Sequence, residues 1–217
     1  KASGINRNNL RINFDTNLYS NFRSGVSLNL SIRKVESNKV NLDHLYMRIL
    51  PTRKVYNDDG TFTGINPYSS SNEQNPVARI EHAIDHNRIT NLVTNAYVEY
   101  DPIPGLTFRS TLGVNMNFVK QNDYLGNIIP ARRISGNGGL AIIGNELYKS
   151  VLNENTLTYE TEYGDSRLTV LAGFTLQKNK IESNGARAEG FPNDVVTFNN
   201  LSLGSDPTKH QVNSGYN

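Results

Sequence analysis

The sequence contains no cysteine, which removes disulfides and thiolate-bound metals and fits a reducing cytoplasm and many bacterial envelope proteins alike. It also lacks a long apolar run. Its longest stretches resemble Val170-Leu171-Ala172-Gly173-Phe174, far short of the roughly 18–20 residues of a transmembrane helix. Hydrophobic residues are scarce at 36%, below the roughly 45–50% of a typical soluble domain on a similar residue list, so a large buried core is hard to supply. Charge of one sign is missing too. With 22 basic and 20 acidic residues the formal charge is +2, and neither a nucleic acid nor a basic partner is indicated. The opening Lys1-Ala2-Ser3-Gly4 does not resemble a leader peptide, so the chain reads as a processed protein or a piece of a longer one.

What fills the chain is Asn, Ser, Thr and Gly in alternation with apolar residues, the period of two expected of strands with one apolar and one wet face. Leu10, Ile12, Phe14 and Leu18 alternate with Arg11, Asn13, Asp15 and Asn17; Val26, Leu28, Leu30 and Ile32 alternate with Ser27, Asn29, Ser31 and Arg33. Tyr19-Ser20-Asn21-Phe22 between them is a hairpin turn. Thr90, Leu92, Thr94, Ala96, Val98 and Tyr100 form a third set, and Leu106, Phe108, Leu112, Val114, Met116 and Phe118 a fourth, the cleanest in the chain. Asp101-Pro102-Ile103-Pro104-Gly105 between these two is a tight turn, because the prolines remove ladder donors and Gly105 can take a positive φ. Leu157, Tyr159 and Tyr163 begin a last hairpin, which Leu168, Val170, Ala172, Phe174 and Leu176 complete across Gly164-Asp165-Ser166. The expectation is an all-β, antiparallel up-and-down meander of about six strands, near residues 8–18, 24–35, 89–100, 106–119, 155–163 and 167–180. Long loops fall near 37–87, 120–152 and 181–217.

The connections therefore run short, long, short, long, short, long, and antiparallel geometry puts all the short ones at one end. Outer-membrane barrels sort their loops this way, with apolar outward faces and a polar lumen. Tyr19, Phe22, Tyr100, Phe108 and Tyr163 gather near the short turns, where an interfacial girdle would stand, although aromatic residues favour strands in any case. Six strands are too few to close a barrel in lipid, which takes about eight, so residues 1–217 read as a partial barrel domain of a larger molecule. The residues expected to face the lumen are Asn91, Asn95, Tyr97, Glu99, Arg109, Asn115 and Asn117. Glu99 and Arg109 share that face and should interact diagonally, as a wet ion pair or as a contact for plug or solute.

No motif signals catalysis, a cofactor or a metal. His82 and His86 stand at i and i+4 in Glu81-His82-Ala83-Ile84-Asp85-His86, but Asp85 stands where the inverted zinc-protease pattern needs Glu, and a capped loop helix is the preferred reading. Gly136-Asn137-Gly138-Gly139 has no Lys-Ser/Thr after it and reads as loop flexibility, and Asp58-Asp59-Gly60 reads as a hairpin tip rather than a calcium loop.

Asn95-Ala96-Tyr97-Val98-Glu99-Tyr100-Asp101-Pro102-Ile103-Pro104-Gly105-Leu106-Thr107-Phe108-Arg109-Ser110 resembles the barrel hairpin of SusC/RagA-type TonB-dependent outer-membrane transporters. Gly25-Val26-Ser27-Leu28-Asn29-Leu30-Ser31, Asn75-Pro76-Val77-Ala78-Arg79, Asn155-Thr156-Leu157-Thr158-Tyr159 and Leu171-Ala172-Gly173 agree in order and spacing. The resemblance implies a twenty-two-stranded barrel with an N-terminal plug in the outer membrane of a Gram-negative bacterium. It also implies energy from TonB, a SusD-like surface lipoprotein as partner, and oligosaccharide or peptide substrates. The plug, the TonB-contacting segment and a closing strand have no counterpart here. The alternative is a secreted soluble all-β carbohydrate-binding domain with its site on the long loops.

Overall fold

The structure is a computed structural model that describes residues 3–37, 49, 52–64 and 75–216. Seven strands follow one another in a single antiparallel sheet in sequence order. They are β1 (Gly4–Tyr19), β2 (Phe22–Ser37), β3 (Ala83–Ile103), β4 (Leu106–Leu125), β5 (Gly139–Tyr163), β6 (Ser166–Phe191) and β7 (Gln211–Tyr216). Among the described residues, two short α-helices, α1 (Pro76–His82) and α2 (Pro130–Ile134), lie in the connections after β2 and β4. No second sheet faces this one among the described residues, so the two-layer packing of a soluble sandwich is not what the chain adopts.

The register turns sequence alternation into two chemically different faces. Leu10, Leu30, Leu92 and Met116 are successive partners across β1 to β4, and Phe14, Val26, Ala96 and Leu112 form another such row. This face is bare: Phe14 is 61% exposed and Phe174 60%. In water so much uncovered apolar surface would cost about 25 cal/mol per Å², so the face is built for an apolar surrounding.

Each tight turn has a local cause. Gly105, at φ 80°, closes the β3–β4 hairpin, and its carbonyl accepts the Glu160 amide of β5 at 2.7 Å. A β-carbon there would run into the Glu160 carbonyl, so the position demands glycine for both its dihedral and its close neighbour. At the same rim Phe22, Tyr100 and Phe108 are direct register partners.

The strands outrun their expected limits at the other end. β5 starts at Gly139 rather than near 155, β6 continues to Phe191 rather than 180, and a seventh strand occupies 211–216 within the stretch expected to be loop. The connections expected at 120–152 and 181–217 are thus 126–138 and 192–210, and that expected at 37–87 is 38–82, parts of which lie outside the described residues. The alternation fails here because both sheet faces are partly covered. Tyr124, Ala141, Ala188 and Phe191 form a small core, with Ile84, Val196, Phe198 and Leu201 packed on it from β3 and the connection after β6. Cover on both faces removes the apolar and polar contrast on which a period-two reading depends.

Candidate functional site

The polar face gathers charge at its tight-turn end. Glu99 and Arg109 are direct register partners, not diagonal ones, and Arg109 Nη1 donates to Glu99 Oε2 at 3.2 Å. Arg23 on β2 pairs with the same carboxylate and donates to Asp101 Oδ2 at 3.0 Å. Glu99 sits between its two partners with its side chain 11% exposed, against 47% and 48% for the arginines. The Arg109 guanidinium lies 4.4 Å from the centre of the Tyr97 ring, and the Tyr97 hydroxyl donates to Asp15 Oδ1 on β1 at 2.9 Å. Thr107 donates to Asp101 Oδ1 at 2.7 Å. One network thus ties four strands together.

Tyr97 reaches β1 because the residue between them is Gly25, where a β-carbon would collide with the Tyr97 ring and the Asp15 carboxylate. Sequence reasoning placed Tyr97, Glu99 and Arg109 on this face but missed Asp15, Arg23, Asp101 and Gly25. The alternation of β1 and β2 carried the signal for Asp15 and Arg23, but cross-strand neighbours follow only once the register is known.

Asn91, Asn95, Asn115 and Asn117 share the face further up the strands and outside this network. Asn91 and Asn117 are direct partners, Asn95 stands opposite Gly113, and Asn115 stands opposite Val93. Asn117 Oδ1 is buried without a hydrogen-bond partner among the described residues. Higher still, Gly144 and Gly185 face each other across β5 and β6 and open a hollow of about 470 Å³, which Gln121, Glu146, Ser183, Arg187, Gln211 and Asn213 help to line. Such a recess, with apolar Val119, Ile142 and Ile143 beside its polar side chains, can hydrogen-bond a hydroxyl-rich or peptidic solute and pack against its apolar parts.

The described parts of the connections are held by their own hydrogen bonds. Asn75 caps α1, its Oδ1 accepting from the amides of Val77 and Ala78 at 3.1 and 3.2 Å, and its Nδ2 donates to the Val55 carbonyl at 2.7 Å. This gives the Asn75-Pro76-Val77-Ala78-Arg79 stretch a structural role. α1 ends at His82 and β3 begins at Ala83, so the helix is shorter than the histidine spacing required. His82 packs edge-on against Phe62 and His86 against Phe198, and no metal-holding group occurs among the described residues. The Gly136–Gly139 stretch is an ordered turn rather than a loose one: Arg132 donates to the carbonyls of Gly138 and Asn137 at 2.8 and 3.1 Å and pairs with the nearly buried Glu189 at 2.7 Å. Asp58-Asp59-Gly60 is a hairpin tip, with Gly60 at φ 80° and a bridge between Tyr56 and Phe62. The Thr61 hydroxyl and amide hold the Asp59 carboxyl below its usual pKa.

No protein-family profile matches the chain. It is 32% identical over its whole length to TonB-dependent receptor P26 of Formosa agariphila, covering 22% of that protein. It is 30% identical to TonB-dependent receptor P39 of the same organism, again over the whole chain and 21% of the relative. The chain belongs to the TonB-dependent receptors. Its sheet superposes on a chain of the RagAB peptide importer in the closed-closed state with a TM-score of 0.72 at 17% identity, covering 99% of this chain and 25% of that one. In the open-open state of the same importer the TM-score is 0.68 at 17% identity, over 98% of this chain and 24% of that one. The seven-stranded meander is thus the fold of a barrel segment, and its open edges follow from that. The chain spans about a fifth of the length of these curated receptors.

Proposed function

We propose that this chain forms seven neighbouring strands in the wall of an outer-membrane barrel that imports oligosaccharides or peptides. TonB supplies the energy in this reading, and a SusD-like surface lipoprotein is the partner. The observation that carries it is one antiparallel sheet, bare and apolar on one side, polar on the other, with every tight turn at the same end. A strand crosses an outer membrane in about ten tilted residues, so β1 to β6 are long enough to cross and to extend beyond the long-connection rim. The similarity to TonB-dependent receptors supports import, and the fold likeness to a peptide importer supports a substrate too large for a simple pore.

In this role Asn91, Asn95, Tyr97, Glu99, Arg109, Asn115 and Asn117 face the lumen. They supply many weak donors and acceptors, so a polar solute exchanges its hydration for the wall without being trapped. No residue performs covalent chemistry.

The absence of cysteine from this segment makes the test direct. In the full-length receptor, in a background without other reactive thiols, Asn95→Cys and Asn115→Cys should react with a membrane-impermeant maleimide, and Leu92→Cys and Val114→Cys should not. Equal labelling of the two sets rejects the barrel-wall reading. Uptake of labelled oligosaccharides and peptides by cells with and without the receptor then decides the substrate class.

A further inference from the structure

We infer that a belt of lysine and arginine on the outward face, at its long-connection end, seats the phosphate groups of anionic outer-leaflet lipid. The belt rests on the barrel-wall reading above and extends it. Its members are Lys34 on β2, Arg88 on β3, Lys120 on β4, Lys149 on β5, and Lys178 and Lys180 on β6. All six lie on the same side of the sheet as the apolar rows, because Lys149 and Lys180 are partners in the row of Leu10, Leu30, Leu92 and Met116. From the tight turns up to the belt, no outward position on β1 to β6 carries Asp or Glu. The carboxylates there sit on the polar face.

Three observations assign the belt to a membrane boundary. First, height is constant when counted along each strand from its own tight turn. Lys34 stands twelve residues from Phe22, Arg88 fifteen from Ile103, Lys120 fourteen from Leu106, Lys149 fourteen from Tyr163, and Lys178 and Lys180 twelve and fourteen from Ser166. At roughly 3.4 Å per residue and a tilt of about 40°, these lengths climb roughly 30–40 Å, the distance from one headgroup layer to the other.

Second, the outward face changes character at this level. Below it the side chains are bare, whereas Tyr124, four residues beyond Lys120, is 1% exposed beneath Phe191 and the packed connection. Protein covers the sheet above the belt, and below it nothing does among the described residues.

Third, like charges stand directly opposite each other. Lys34 partners Arg88, Arg88 partners Lys120, and Lys149 partners Lys180. Directly opposed like charges destabilise a sheet unless an anion lies between them. Lys180 has Glu182 at 2.6 Å, and the other five have no carboxylate partner among the described residues. Phosphate answers this arrangement, since lysine presents a point charge on a stem that runs along apolar surface, and charge-assisted bonds to phosphate are the strong ones. The long connections lie on the external side in outer-membrane barrels, which places the belt in the outer leaflet.

The test uses the full-length receptor in lipid nanodiscs that hold equal amounts of monophosphoryl lipid A and its dephosphorylated form, with retained lipid counted by native mass spectrometry. The wild-type receptor should retain the phosphorylated form roughly tenfold over the other. The triple variant Lys34→Gln, Arg88→Gln, Lys120→Gln should lose most of that preference, and the charge-keeping triple Lys34→Arg, Arg88→Lys, Lys120→Arg should keep it. Heat-modifiable migration on a gel confirms that each variant is a folded barrel. Insertion without a phosphate preference, or an unchanged preference in the glutamine triple, overturns the belt alone. Failure of the wild-type receptor to enter the bilayer overturns the barrel-wall reading with it.

Discussion

Gly105 shows how much one residue decides at the tight-turn rim. Its φ of 80° and the Glu160 carbonyl against it leave no room for a side chain. Gly105→Ala should cost about 1–3 kcal/mol through strain and a weakened β4–β5 contact, read as earlier loss of the heat-modifiable form of the full-length receptor on warming. Glu99 makes a smaller contribution. It bridges Arg23 and Arg109, but both arginines are about half exposed, so Glu99→Gln should lower stability by at most about 1 kcal/mol, and less in high salt. A loss much larger than that, measured by the same gel assay, would show that the network holds the four strands in register.

At the scale of the strand, the two faces predict opposite responses to one substitution. Leu112 lies on the apolar face of β4 and Asn115 on the polar one. Leu112→Lys should destabilise the barrel by about 2–4 kcal/mol, as a cation held towards lipid does near the bilayer midplane, whereas Asn115→Lys should change folding little. Comparing the yield of folded receptor in outer-membrane fractions checks both. The central strands were legible because large apolar side chains fall mainly on one parity of each, Leu92, Val98 and Tyr100 on β3 and Leu106, Phe108, Leu112, Val114, Met116 and Phe118 on β4, with mostly polar residues between them. The first half of β5 was not, since Leu140, Ile142 and Ile143 are apolar on both parities where the connection after β6 folds over the sheet. β7 has only Val212 and Tyr216 as large apolar residues, and its strand state comes from pairing with β6.

For the whole molecule, the long connections and the sheet should separate in stability. Asp194 accepts from the Tyr124 hydroxyl at 2.8 Å and from the Asn127 amide at 2.7 Å, tying the connection after β6 to the one after β4. Asp194→Ala should increase protease cleavage at 192–210 on intact cells while leaving the heat-modifiable barrel unchanged, because local opening there exposes little of the sheet. The open edges lead to another expectation. The strands at either end, β1 and β7, each lack a neighbour on one side among the described residues, so the 217-residue piece alone should associate through its edges and stay monodisperse only in detergent, as sedimentation would show.

The sequence by itself determined the all-β class, the central hairpins, the sorting of short and long connections and the polarity of each face, because alternation along a strand is a local property that does not depend on which strand lies beside it. Tertiary structure decided which residues meet. The register set Glu99 opposite Arg109, the gap at Gly25 let Tyr97 reach Asp15, and the fold of the last connection buried Tyr124. It also aligned cations from five strands at one height. Each of these depends on how far neighbouring strands slide past one another and on what covers them, and pairwise placement of that kind is not encoded in the pattern of any single strand.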